Sequence, residues 1–131
     1  MAQSYVHAEA SVRHFKAGTP EDFLPIHEFI DSFKKSMGDV RHRAMLHNTH
    51  GPWIAQEVFG HFIEVLDEKS QKTKKILVRE IVENHILEDL GCLPSPEQWL
   101  SCMDCKVWMG GKRNKFIGRE EFLDNTVIER K

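Results

Sequence analysis

The chain has 131 residues, of which 40% are hydrophobic and 29% charged, a composition that excludes a disordered or fibrous polymer and suits one hydrophobic core. Lys and Arg number 18 against 20 Asp and Glu, for a net charge of -2, so net charge gives no indication of nucleic-acid binding. No segment approaches the roughly 18 apolar residues of a membrane span, and the start Met1-Ala2-Gln3-Ser4-Tyr5-Val6-His7 lacks the basic and apolar regions of a signal peptide, so a cytoplasmic location is expected.

In chain order, residues 1–18 form an N-terminal arm in which Ala8 to Lys16 fits either a short helix or an extended segment. A core domain is expected over 19–109. Thr19-Pro20-Glu21-Asp22 is a helix start, with a capping hydroxyl, a proline tolerated in the first turn and acids near the positive end of the dipole. Pro25 is expected to delay the regular helix, after which Ile26, Phe29, Ile30, Phe33 and Met37 recur at helical spacing until Gly38. Asp39 caps a second helix through Val40, Ala44, Ile54, Ala55 and Val58, kinked or broken at Gly51-Pro52 and ending near Gly60.

Phe62-Ile63-Glu64-Val65-Leu66 and Ile76-Leu77-Val78 are β-prone runs around a charged loop, which predicts a hairpin over about 62–78. A third helix runs from about Arg79 to Leu90, with Ile81, Val82, Ile86 and Leu90 on one face and Gly91 as its stop. Ser95-Pro96-Glu97-Gln98 opens a short helix through Trp99 and Leu100. Gly110 to Lys115 reads as a basic turn leading into a polar tail over 110–131. The fold class is therefore mainly α, a compact helical domain with one short β-hairpin.

Chemistry concentrates where a core would prefer apolar side chains. On the third helix His85 lies between Ile81, Val82 and Ile86, and Asp89 follows one turn later, so both face the core. A buried carboxylate must be paired, hydrogen-bonded or metal-bound to offset its desolvation. His27 and Asp31 repeat that spacing on the first helix. The segment from Asp39 to His50 carries Arg41, His42, Arg43 and His47, with His47 on the side of Val40, Ala44 and Ile54. Imidazole and carboxylate groups on facing helices suit a divalent metal such as Zn, Mn or Fe. The candidate ligands are His27, His42, His47, His85 and Asp89. Arg41, Arg43, Asp31 and Asp39 form either an anion-binding group or a structural network.

Cys92, Cys102 and Cys105 are an odd number of thiols, expected to be reduced and buried, although Cys102-Met103-Asp104-Cys105 has the spacing of half a zinc site. Trp53, Trp99 and Trp108 are assigned to the core. No HExxH motif, phosphate loop or nucleophile elbow is present.

The strings Pro20 to His27, Arg41-His42-Arg43-Ala44 with His47, and His85-Ile86-Leu87-Glu88-Asp89-Leu90-Gly91 followed by Pro94 and Trp99-Leu100 resemble a family of uncharacterised bacterial and phage proteins, a domain of unknown function. The resemblance covers Phe15 to Met109 and implies no activity or cofactor. Its matching positions are His27, Asp31, Asp39, Arg41, His42, Arg43, His47, His85, Glu88 and Asp89, with Cys102 and Cys105 outside the pattern and a departure around Asn48, His50 and Pro52. Two functions are expected to compete. One is a divalent-metal-binding domain, with hydrolysis as its candidate reaction. The other is a phage-type binding protein that inhibits a host enzyme or defence complex by surface contact.

Overall fold

A computed structural model describes residues 3–104, 106 and 109. It is mainly helical with a two-stranded antiparallel sheet. Helices α1 (Ser4–Phe15), α2 (Pro20–Ile30), α3 (Arg43–Leu46) and α4 (Gly51–Phe59) precede the strands β1 (Phe62–Asp67) and β2 (Lys72–Leu77), which lead into α5 (Val78–Leu90). Short 3-10 turns at Ser32–Lys35 and Val40–His42 link α2 to α3. The chain divides into two units, Met1–Pro96 and Glu97–Lys131, the second opening on the rest of α6 (Pro96–Leu100). Among the described residues no helix is long and apolar enough to cross a membrane.

The N-terminal segment resolves as helix. Its end is marked by Lys16 in the left-handed region, whose N–H donates to the Val12 carbonyl. Ala8 and Phe15 join the core, as does Ala17 just beyond the helix. Helix α2 starts at Pro20, earlier than Pro25 suggests. Thr19 and Asp22 satisfy each other's backbone N–H groups in a capping box, and this start holds although Pro25 removes one backbone donor within the helix. The α2 helix ends at Ile30, and the apolar spacing through Phe33 continues as a 3-10 turn.

The break at Gly51-Pro52 is complete. Asn48 builds the corner: its Oδ1 accepts from the N–H groups of His50 at 2.8 Å and Gly51 at 3.0 Å, while its Nδ2 donates to the Ala44 carbonyl at 3.0 Å. A Cβ on Gly51 would stand 1.9 Å from the Leu46 carbonyl oxygen, so the two backbones can approach only because residue 51 has no side chain. Pro52 then occupies the first turn of α4, where its missing N–H costs nothing.

In the hairpin Phe62 pairs with Leu77 and Asp67 with Lys72, so the second strand takes in Lys72 to Lys75, a stretch expected in the loop. Ile63, Val65 and Ile76 share the face turned to the core. Lys74, opposite Val65, reaches past it and donates to the Phe15 carbonyl at 2.8 Å. Val78 starts α5 rather than ending a strand, and Gly91 closes that helix at φ 74°. Phe23, Ile26 and Ile30 of α2 join Val78, Ile81, Val82 and Ile86 of α5 in the centre of the core.

Three surface assignments are corrected. Trp53 is 54% exposed and Val40 65%, and the two lie in separate elements, α4 and the 3-10 turn Val40–His42, rather than on one face of a continuous helix. Cys92 and Cys102 are exposed free thiols rather than buried ones. Trp99 is half-buried, while Cys105, Trp108 and the tail at 110–131 lie outside the described residues.

Candidate metal centre

The α5 stripe of Val78, Ile81, Val82 and Ile86 is buried, and helical periodicity carries His85 and Asp89 inward with it. Helix α2 packs against α5 and delivers His27 and, at its C-terminal cap, Asp31. The segment between the 3-10 turn and the Asn48 corner delivers His42 and His47. The side chains of His47 and His85 are fully buried, and those of Asp31 and Asp89 nearly so.

Four donor atoms converge. His47 Nε2 lies 2.9 Å from Asp89 Oδ2 and 3.5 Å from Asp31 Oδ1. His85 Nε2 lies 3.2 Å from Asp31 Oδ1 and 3.3 Å from Asp89 Oδ2. All four atoms fall within 4.8 Å of one another. Donors held at about 2.0–2.2 Å from one ion stand about 3.3–3.6 Å apart on a tetrahedron and about 2.8–3.1 Å apart on adjacent corners of an octahedron. These four edges span that range, so Asp31, His47, His85 and Asp89 could hold a single first-row ion.

His42 adds an independent indication. Its Nδ1–H donates to the Asp39 carbonyl at 2.8 Å, which orients the ring with Nε2 on the side of Asp31. That Nε2 is buried, has no hydrogen-bond partner among the described residues and sits 4.0 Å from Asp31 Oδ1. A buried ring nitrogen beside a carboxylate but out of hydrogen-bond range is a position from which both groups could share a cation.

His27 stands one step outside this group, because both its ring nitrogens are engaged. Nε2 lies 2.8 Å from Ser11 Oγ and Nδ1 lies 2.8 Å from His85 Nδ1. Burial, with the neighbouring His85 and His7, pushes its pKa down to about 3, so the ring is neutral. Arg41 and Asp39 pair with each other at the exposed surface, with Arg41 Nη2 2.8 Å from Asp39 Oδ2. Arg43 does reach the site: its Nη2 is 3.7 Å from Asp89 Oδ1, and its Nε is buried without a partner among the described residues.

Helix α1 brings in three residues absent from the sequence-derived set. His7 lies between two carboxylates, with Nδ1 2.6 Å from Glu88 Oε1 and Nε2 3.1 Å from Asp89 Oδ1. Burial works against its charged form, but the hydrogen bonds to Asp89 and Glu88 prevail and raise its pKa. Ser4 Oγ donates to Asp31 Oδ2 at 3.4 Å, and Ser11 meets His27. Ser4, His7 and Ser11 occupy one face at spacings of three and four residues, a helical signal that can be read from the sequence.

Asp89 itself is held well below the usual carboxylate range: burial opposes this, and hydrogen bonds from His47, His7 and His85 outweigh it. Asp31 is lowered against the same opposition by His85. His47 is lowered by burial, more than Asp89 raises it. The two carboxylates are thus charged and the His47 imidazole is neutral, the protonation states that metal ligation requires.

Residues 2–109 match the family model described as "Domain of unknown function (DUF6915)". The chain belongs to the DUF6915 family. No curated protein and no solved structure matches it. The matched span contains every residue of the buried His/Asp cluster, so this DUF6915 member carries the whole site inside the family's domain.

Proposed function

We propose that this DUF6915 protein is a divalent-metal-binding domain. Asp31, His47, His85 and Asp89 hold the ion, and His42 supplies a fifth donor. The observation that supports this best is the convergence of four ionisable donors at metal-compatible separations in a buried site. Three imidazoles and two carboxylates are borderline and hard donors, and a five-donor set suits Mn(II) or Fe(II) better than four-coordinate Zn(II).

Hydrolysis is the reaction we assign to the site. Held by these residues, a divalent ion would supply Lewis acidity, lowering the pKa of water and polarising an ester or phosphoryl oxygen. Arg43, with Nη2 3.7 Å from Asp89 Oδ1 and Nε without a partner among the described residues, is placed to hold an anionic group of the substrate. Arg41 has no such role, being paired with Asp39 at the surface.

Cobalt(II) tests the ligand set, since its visible bands intensify as coordination number falls. Loaded wild type should show the weak bands of a five- or six-coordinate ion, and His42→Gln should strengthen them. Folded wild-type protein that takes up neither Co(II), Mn(II), Fe(II) nor Zn(II) would remove the metal reading and put the protein-binding alternative in its place.

A further inference from the structure

Behind the ligand atoms runs a buried string of polar groups that apolar packing does not require. His85 Nδ1 lies 2.8 Å from His27 Nδ1, and His27 Nε2 lies 2.8 Å from Ser11 Oγ. Both rings and the hydroxyl are buried, so water does not substitute for any of these partners. The contact between two ring nitrogens holds a single proton: one nitrogen donates and the other supplies its lone pair. With both rings neutral, the whole string has two allowed directions.

In the first, His85 Nε2 carries the hydrogen, directed at Asp31 Oδ1 and Asp89 Oδ2 at 3.2 and 3.3 Å. His85 Nδ1 is then an acceptor, His27 Nδ1–H donates to it, and the Ser11 hydroxyl donates to His27 Nε2. In the second, His85 Nε2 gives its lone pair to a metal, so the hydrogen sits on His85 Nδ1. His27 Nδ1 must then accept, and its Nε2–H donates to Ser11 Oγ. Neither ring changes its number of protons; each exchanges one tautomer for the other. A serine hydroxyl suits the end of such a string because it can donate or accept. In the accepting state a helical serine can place its own hydrogen on the carbonyl one turn back.

We infer that Ser11, His27 and His85 form a hydrogen-bond chain whose direction is set by occupancy of the metal site, which makes α1 a positioning element of that site. The inference rests on the metal reading above. Other contacts of α1 agree with it, since Ser4 and His7 hold Asp31 Oδ2 and Asp89 Oδ1, the carboxylate oxygens other than those facing the ion position. The helix thus orients two ligands directly and a third through His27.

The test is NMR of histidine-labelled full-length protein, which distinguishes Nδ1–H from Nε2–H tautomers by ring carbon and nitrogen shifts, with and without Zn(II) as a diamagnetic probe. Zinc should move His27 from the Nδ1–H to the Nε2–H form and His85 from Nε2–H to Nδ1–H. Ser11→Ala should weaken Zn(II) binding roughly 10–100-fold, as loss of an orienting partner does, while Ser11→Thr, which keeps the hydroxyl, recovers most of the affinity. Zinc bound with the His27 tautomer unchanged would overturn the chain and leave the metal site standing. Unchanged zinc affinity in Ser11→Ala would do the same, and a protein that takes up none of Zn(II), Co(II), Mn(II) and Fe(II) would overturn both. The wild-type tautomer comparison decides the matter even if the variants fail to fold.

Discussion

Asp89 divides its two oxygens between two tasks. Oδ2 faces His47 and His85, while Oδ1 faces His7 at 3.1 Å and Arg43 at 3.7 Å. Asp89→Asn should therefore reduce stability even in chelator, by about 1–3 kcal/mol for charge-assisted bonds lost in a buried setting. In metal-containing buffer the loss should be larger. An ion present at a hundred times its Kd contributes about 2.7 kcal/mol to the wild type, and the variant forgoes much of this. Thermal melts of both proteins in both buffers check this, and equal losses would make Asp89 a strut and not a ligand. Arg41→Ala, which touches only the exposed Asp39, should leave melting temperature and metal content unchanged. In the sequence, the inward placement of His85 and Asp89 was legible because Ile81, Val82 and Ile86 fix the buried face of their helix. Asp31 was assigned to a charged network because an i,i+4 His/Asp pair at a helix border carries no sign of what faces it. His7 and Ser11 were not identified, because the three- and four-residue spacing they share with Ser4 marks a face only once the segment is known to be helical, and Ala8 to Lys16 also fits an extended segment.

At the scale of elements, the site depends on the corner between α3 and α4. Gly51 allows the Leu46 carbonyl to approach, and that approach sets the path of the chain through His47. Gly51→Ala should destabilise the fold by at least about 2 kcal/mol, as backbone crowding in a packed site does, and should cost the protein its metal as well. Gly38→Ala is the control. Nothing lies within 4 Å of its added Cβ. That change should be neutral or should stabilise by up to about 1 kcal/mol through the unfolded chain. Urea titrations of the two variants give the comparison. Proline and glycine signalled the break in the sequence but not its extent, because the corner is built by Asn48, whose bonds to residues on both sides become visible only in three dimensions. The hairpin was legible from its β-prone runs. Its second strand was read too short because Lys72, Lys74 and Lys75 look like loop residues until their pairing with β1 is seen.

For the molecule as a whole, the apolar core and the polar cluster are built by the same helices, α2 and α5, so a metal bound at the cluster would be coupled to folding. Chelation should lower the melting temperature of wild type without abolishing the helical circular dichroism signal, because Phe23, Ile26, Ile30, Ile81 and Ile86 pack independently of the ligands. The fold class followed from periodicity and turn chemistry. The gathering of His and Asp from three segments was expected too, but which of those residues meet was not, since helix packing angles are not written in any one helix. The most direct measurement is elemental analysis of tag-free protein purified without added metal, repeated on His85→Ala. The account predicts close to one first-row divalent ion per wild-type chain, lost in the variant. Wild-type protein that is fully folded, free of metal and unable to take up Mn(II), Fe(II), Co(II) or Zn(II) would contradict it.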